Sequence, residues 1–306
     1  MSYNNDITII KIIEFLNTLG EEIKFTGNQL EVIQGYSSIY EYQKNTITWL
    51  KNEEVYKRIE KNINSPIKLI VLPEEHKDFD KFSNYIRTDN PHRVFFQIVE
   101  KFFTNEKEYS IGKSNFISQK AKIFSKVYIG NNCVIGDNVE IGERTRIYNN
   151  VTISDGVKIG TDCTIKSGAV IGEEGLGYTK EKDGKYRRVP HLGSVIIGNN
   201  VDIGANTTIE RGVMENTIIE DGVKIDDLCQ ISHNTHIGEN SMIIVHTAIY
   251  GSVKIGKNCW IASSIIRNQV KIGDNVVIGM GSVVTKDVKD GAVVFGVPAK
   301  ERREDN

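Results

Sequence analysis

IGKSNFISQKAKIFSKVYIGNNCVIGDNVEIGERTRIYNNVTISDGVKIGTDCTIKSGAVI, residues 111–171, carries an isoleucine at every sixth position from Ile111 to Ile171. The register returns at Ile197, Ile203 and Ile209, runs from Ile219 to Ile261, and closes at Ile272, Ile278 and Val284. A period of six belongs neither to a helix nor to a plain strand, so it calls for a repeat architecture. Each hexad supplies one short strand and one turn, and three hexads close a triangular coil. Coils then stack at the strand spacing of roughly 4.8 Å. Glycine often follows the isoleucine (Gly130, Gly136, Gly142, Gly160), and a small or branched residue stands four places on (Cys133, Val139, Thr145, Val151). The isoleucine and that small residue point inward and fill a narrow prism. The fold class is mainly β: a parallel β-helix of hexapeptide repeats preceded by a small α/β domain.

The 306 residues carry a formal charge of −2 and a pI near 6.3, which excludes a generally nucleic-acid-binding surface. No apolar run reaches the roughly 18 residues of a membrane span, and the N-terminus shows no export signal, so a cytoplasmic protein is expected. The four cysteines, Cys133, Cys163, Cys229 and Cys259, each fall four residues after a repeat isoleucine. They are expected as buried thiols packing as small hydrophobes, and no metal site is expected.

Residues 1–105 are patterned differently. Ile7 to Leu19 has helical spacing and ends at Gly20, where a helix C-cap belongs. Short runs at Ile23–Phe25, Leu30–Ile33, Thr46–Leu50 and Ile67–Leu72 read as strands, and Glu53–Asn62 and Val94–Phe103 as helices. Thr104–Tyr109 reads as a linker, residues 106–298 as the solenoid domain and 299–306 as a tail. The solenoid is interrupted at 172–196, where three early glycines precede Lys180, Lys182, Lys185, Arg187 and Arg188. A loop of that length is expected to act as a flap that offers amides and cations to an anionic ligand. Two smaller slips follow, a step of ten from Ile209 to Ile219 and of eleven from Ile261 to Ile272.

His233 stands two places after Ile231, in the turn of its hexad, with Ser232 and Asn234 beside it and Asp226 seven residues before. An exposed imidazole with a carboxylate to orient it is the usual form of a general base. His246 occupies a turn two hexads later and therefore another corner of the triangle. The two cannot share one metal within a chain, which weighs against a zinc-hydrase reading.

Residues 203–238, IGANTTIERGVMENTIIEDGVKIDDLCQISHNTHIG, closely resemble the UDP-3-O-acylglucosamine N-acyltransferases of lipid A synthesis, as do GEEGLGY (172–178) and VPHLGSVIIG (189–198). NTITWLKNEEVY is similar to that family's uridine-binding domain. The resemblance implies a left-handed β-helix, a homotrimer with active sites between neighbouring solenoids, His233 as the base for the sugar amine, and Asp226 as its support. It further implies uracil binding by Trp49 and Asn52, with Tyr178, Asn234 and His246 as further substrate contacts. Three departures stand out. Gln269 occupies the place of the family's second histidine, Val245 and His246 replace small residues, and the family's C-terminal helices are missing. The ending GMGSVVTKDVKDGAVVFGVPAK instead resembles hexapeptide sugar acetyltransferases that use acetyl-coenzyme A. That likeness implies a donor site along Gly251, Gly279, Lys286 and Lys300.

The expectation is therefore an N-acyltransferase acting on a nucleotide-linked amino sugar in surface glycan or lipopolysaccharide synthesis. It has acyl-CoA as the favoured co-substrate, no bound cofactor, and an oxyanion donor around Gly251. The nearest alternative is the lipid A enzyme itself, supplied by acyl carrier protein. A zinc hydrase and a non-catalytic trimeric scaffold are the rivals of other classes.

Overall fold

The computed structural model describes residues 6–59, 66–76, 82–104 and 108–301. The end of the expected helix at 60–62, most of the linker and the tail from 302 onward lie outside the described residues. The chain divides into two compact units, Met1–Glu106 and Lys107–Asn306.

In the N-terminal unit a five-stranded sheet runs in the order Lys24–Thr26, Tyr85–Thr88, Leu69–Pro73, Thr46–Trp49, Gly35–Tyr36. Only the first pairing is antiparallel. Helices α1 (Ile9–Thr18) and α3 (Pro91–Phe103) bury one face of the sheet through Ile9, Ile12, Leu16, Val94, Ile98 and Phe103. A shorter helix, α2 (Glu53–Ile59), follows the Thr46–Trp49 strand. Gly20 takes φ +71 just past α1, the left-handed conformation that glycine adopts without penalty. The third helix starts three residues before the apolar pattern does, because Pro91 occupies its first turn and Asn90 Oδ1 accepts from Arg93 N at 3.0 Å.

The second unit is a left-handed parallel β-helix with three parallel sheets as its faces. Each repeat isoleucine pairs with the isoleucine one coil on, as Ile129 does with Ile147 and Ile231 with Ile249. From Ile129 onward these side chains are buried and form one continuous core with the small residues four places later. Several of the polar small residues donate their hydrogen to a carbonyl of the next coil: Thr145 Oγ1 to Gly160 O at 2.9 Å, Ser241 Oγ to Gly256 O at 2.9 Å, Cys259 Sγ to Gly273 O at 3.1 Å. That contact explains how hydroxyls and thiols fit a dry prism. The turns need a left-handed residue three places after the isoleucine, and asparagine is the commonest residue there, for example Asn132, Asn150 and Asn240. Asparagine tolerates that conformation better than other residues with a Cβ.

All four cysteines are free and buried. Burial pushes the Cys229 thiol up to about 11 and the other three in the same direction. None of them is poised as a nucleophile.

Candidate active site

Two of the three interruptions of the repeat share one edge of the prism, while the eleven-residue step falls where Ile261 of the ten-stranded sheet gives way to Ile266 of the nine-stranded one. Ile171 lies in the nine-stranded sheet and Ile197 in the eight-stranded one, and the same holds for Ile209 and Ile219. Both the long insertion and the ten-residue step therefore leave the solenoid at the corner between those two sheets. His233 sits on that corner one coil further on, between the strands Gln230–Ile231 and His236–Ile237.

The imidazole of His233 is held in one tautomer. Val213 N donates to Asn234 Oδ1 at 3.0 Å, and Asn234 Nδ2 donates to Glu215 O at 3.1 Å. A backbone N–H can only donate and a carbonyl can only accept, so the Asn234 amide has a single orientation. Its Oδ1 lies 3.0 Å from His233 Nδ1, so Nδ1 carries the hydrogen and Nε2 the lone pair. The carboxylate at this corner, Glu210, accepts from His233 N at 3.1 Å and fixes the turn rather than the ring.

Gly251 lies one coil above. A Cβ there would come within 2.6 Å of both Cε1 and Nε2 of His233, so the basic edge of the ring rests against the Gly251 backbone. Among the described residues the Gly251 N–H has no acceptor. At the matching turn position of the hexads before and after, the amide is held by a carboxylate, as Val245 N is by Asp226 and Lys257 N by Asp274. The corner thus presents a lone pair and an unspent amide donor side by side. That pair suits removal of a proton from a nucleophile and stabilisation of a developing oxyanion.

Asp226 requires a correction. Lys224–Ile225 belongs to the ten-stranded sheet, which puts Asp226 on a different edge from His233. Its two oxygens accept from Asp227 N at 2.8 Å and Val245 N at 3.2 Å, and the partner of the His233 ring within the chain is Asn234. A separation of seven residues is one hexad plus one, which carries the chain around a corner instead of back to the same place. His246 shares the Asp226 edge, with its N donating to Asp227 O at 3.4 Å and φ at +60.

The insertion forms a hairpin, Tyr178–Lys180 paired with Tyr186–Arg188, exposed along its length. Its cations are partly answered from within: Lys185 by Asp183 at 3.0 Å, Arg187 by Glu181 at 3.7 Å and Arg188 by Glu174 at 2.9 Å. The root of the insertion is tied down by Arg211, whose guanidinium donates to Gly172 O at 2.7 Å and Asp155 O at 2.5 Å. Beside it opens a cavity of about 440 Å³ lined by Phe116, Val134, Thr152, Glu173, Glu174 and Arg211. The sequence reading missed His191, which is buried at the base of the insertion with its ring 5.6 Å from that of His233. It was visible only as one residue of the VPHLG motif.

The remaining expected residues divide by place. Lys286 and Lys300 line one cavity of about 360 Å³ at the last coil, together with Lys289. Gly279 follows Ile278 of the ten-stranded sheet and lies away from the His233 edge. Gln269 is on the His233 edge, with its N donating to Gly251 O at 3.0 Å. In the N-terminal unit Trp49 is half-buried, edge-on to His92 at 4.9 Å and 6.4 Å from Phe95. The exposed Asn52 caps α2, its Oδ1 accepting from Val55 N at 3.0 Å.

The family model for the bacterial transferase hexapeptide (six repeats) matches residues 138–173 and 252–286. A UDP-3-O-acylglucosamine N-acyltransferase of Campylobacter lari is 36% identical over 94% of this chain and 93% of its own length. UDP-3-O-acylglucosamine N-acyltransferase 2 of Legionella pneumophila is 37% identical over 73% of this chain and 69% of its own. Among solved structures, the UDP-N-acetylglucosamine acyltransferase of Francisella novicida superposes with a TM-score of 0.58 at 27% identity, covering 63% of this chain and 70% of that one. The enzyme of that name from Bacteroides fragilis gives 0.56 at 27% identity, over 63% and 74%. A hexapeptide-repeat solenoid, a histidine at its irregular edge and a relative aligned almost end to end converge: the chain is an acyltransferase and belongs to the UDP-3-O-acylglucosamine N-acyltransferase family.

Proposed function

We propose that this enzyme transfers a 3-hydroxyacyl group from acyl carrier protein to the amine of a UDP-3-O-acylglucosamine, the N-acylation step of lipid A synthesis. The observation that carries the chemistry is the His233 Nε2 lone pair at the edge of the ring that rests against the backbone of Gly251, whose own N–H is unspent among the described residues. As the amine nitrogen attacks the thioester carbon, His233 Nε2 takes its proton and the carbonyl π electrons move onto oxygen beside Gly251 N–H. Collapse of the adduct expels the thiolate, which receives the proton from His233. The new amide and the free thiol balance the reaction, and no acyl-enzyme is needed.

The choice of donor differs from the sequence expectation of acyl-CoA. The Campylobacter lari relative bears the UDP-3-O-acylglucosamine N-acyltransferase activity in its name and is aligned over 93% of its own length, which supports that enzyme's reaction over a coenzyme A-dependent acetyl transfer. The lysine-lined cavity at the last coil suits the phosphate of a phosphopantetheine arm, which both donors possess. Trp49 and Asn52 are proposed to hold the uracil. A homotrimer is proposed in which the edge bearing Asp226 and His246 meets the His233 edge of a neighbour, restoring the carboxylate that the single chain lacks. Both substrates are products of cytoplasmic synthesis, which is where the enzyme is placed.

The test is turnover of UDP-3-O-(3-hydroxyacyl)glucosamine with 3-hydroxyacyl-acyl carrier protein and, separately, with acetyl-CoA, with the product resolved by mass spectrometry. The expected product is the N-acylated sugar formed from the carrier protein. Efficient transfer from acetyl-CoA alone would restore the coenzyme A reading.

A further inference from the structure

His191 is only 3% exposed. Its Nδ1 lies 3.1 Å from Val189 O, and a carbonyl can only accept, so Nδ1 carries the hydrogen and Nε2 the lone pair. The Nε2 atom is buried and has no hydrogen-bond partner among the described residues. A Cβ on Gly177 would lie 2.5 Å from His191 Cε1 and 3.4 Å from Nδ1, so the Nδ1–Cε1 edge of the ring is taken by Gly177 and Val189. The His191 and His233 rings stand 5.6 Å apart at 82°. An imidazole dipole has its negative end at the unprotonated nitrogen, and here no described residue satisfies that end.

The charged groups around the two rings are otherwise engaged. Glu210 accepts from His233 N, and Glu174 accepts from His191 N at 3.4 Å and from Arg188. The Arg211 guanidinium donates to two carbonyls, and the coil above contributes the uncharged Gly251. Among the described residues no carboxylate is hydrogen-bonded to a ring nitrogen of either histidine.

We infer that His191 is a positioning residue for His233, its unpaired Nε2 dipole stabilising the imidazolium that forms when His233 takes the proton of the attacking amine. This rests on the reading of His233 as the base. A buried acceptor that is unsatisfied in the resting state and opposed by a cation during the reaction favours the charged state over the resting one. At this separation inside a protein, a charge and an imidazole-sized dipole interact by a factor of about three to ten. The insertion thus reaches the reacting histidine through one buried ring, while its exposed cations need not touch substrate.

The experiment is the pH dependence of kcat/KM for His191→Phe and His191→Gln, with UDP-3-O-(3-hydroxyacyl)glucosamine and 3-hydroxyacyl-acyl carrier protein. Phenylalanine keeps a flat ring against His233 and removes the lone pair; glutamine restores an acceptor. With His191→Phe the acid limb should move to lower pH and the plateau fall about three- to tenfold, at unchanged KM. His191→Gln should lie nearer the wild type on both counts. Thermal unfolding of each variant controls for structure, and leucine replaces phenylalanine should that variant not fold. A His191→Phe profile superimposed on the wild type, or equal losses for both variants, would overturn the inference. An active His233→Ala enzyme would instead overturn the reading of the base.

Discussion

Within the chain, the side chain that orients the His233 ring is an amide and not a carboxylate. Asn234 fixes the His233 tautomer because each of its own bonds runs to a backbone group that cannot exchange roles. The sequence showed His233 in a turn and Asn234 beside it, so the candidate base could be picked out there. It gave Asp226 the orienting role because closeness along a chain is a poor guide in a solenoid, where one hexad moves the next side chain to another edge. The part played by Gly251 could be guessed only as a position one coil above the base; its unspent N–H is a fact of three dimensions. Gly251 has an ordinary φ, so alanine there carries no backbone strain, but its Cβ would press on His233 Nε2. Gly251→Ala should lower kcat by about 10²-fold or more while thermal unfolding shifts little, since donor and base are displaced together. Near-native kcat in that variant would remove Gly251 from the site.

At the scale of elements, the period of six made the strands, the inward positions and the four buried cysteines readable before any coordinates. Hydrophobic filling of a prism repeats identically from coil to coil. The irregular corner was readable as two breaks, but not as one corner, because their lengths conceal that both join the same two sheets. In the N-terminal unit the strand Tyr85–Thr88 escaped notice, with Arg87 interrupting what would otherwise be an apolar run. The raised thiol of Cys229 gives a pH prediction. A thiol whose folded pKa stands at about 11 against the ordinary 9.0 contributes stability below pH 9 that is lost as pH rises toward 11. Unfolding temperature should fall across that window, and Cys229→Ser should flatten the fall, as melts from pH 8 to 11 would show. Trp49 poses the opposite question, since half of it packs on His92 and Phe95. If it also holds uracil, Trp49→Ala should raise KM for the nucleotide sugar far more than it lowers kcat. A loss of stability with unchanged KM would make it a core residue.

For the whole molecule, the separation of Asp226 and His246 from His233 within one chain argues for an assembly that reunites them. Light scattering at working concentration should report three chains per particle, and a monomeric mass with full activity would refute the shared site. The central claim is that His233 removes the proton from the sugar amine. The most direct measurement is single-turnover acylation of UDP-3-O-(3-hydroxyacyl)glucosamine by saturating 3-hydroxyacyl-acyl carrier protein, comparing wild type with His233→Ala. The rate should fall by about 10²–10⁴, the range of a lost general base, with nucleotide-sugar affinity nearly unchanged. A His233→Ala enzyme that acylates at the wild-type rate would contradict the account.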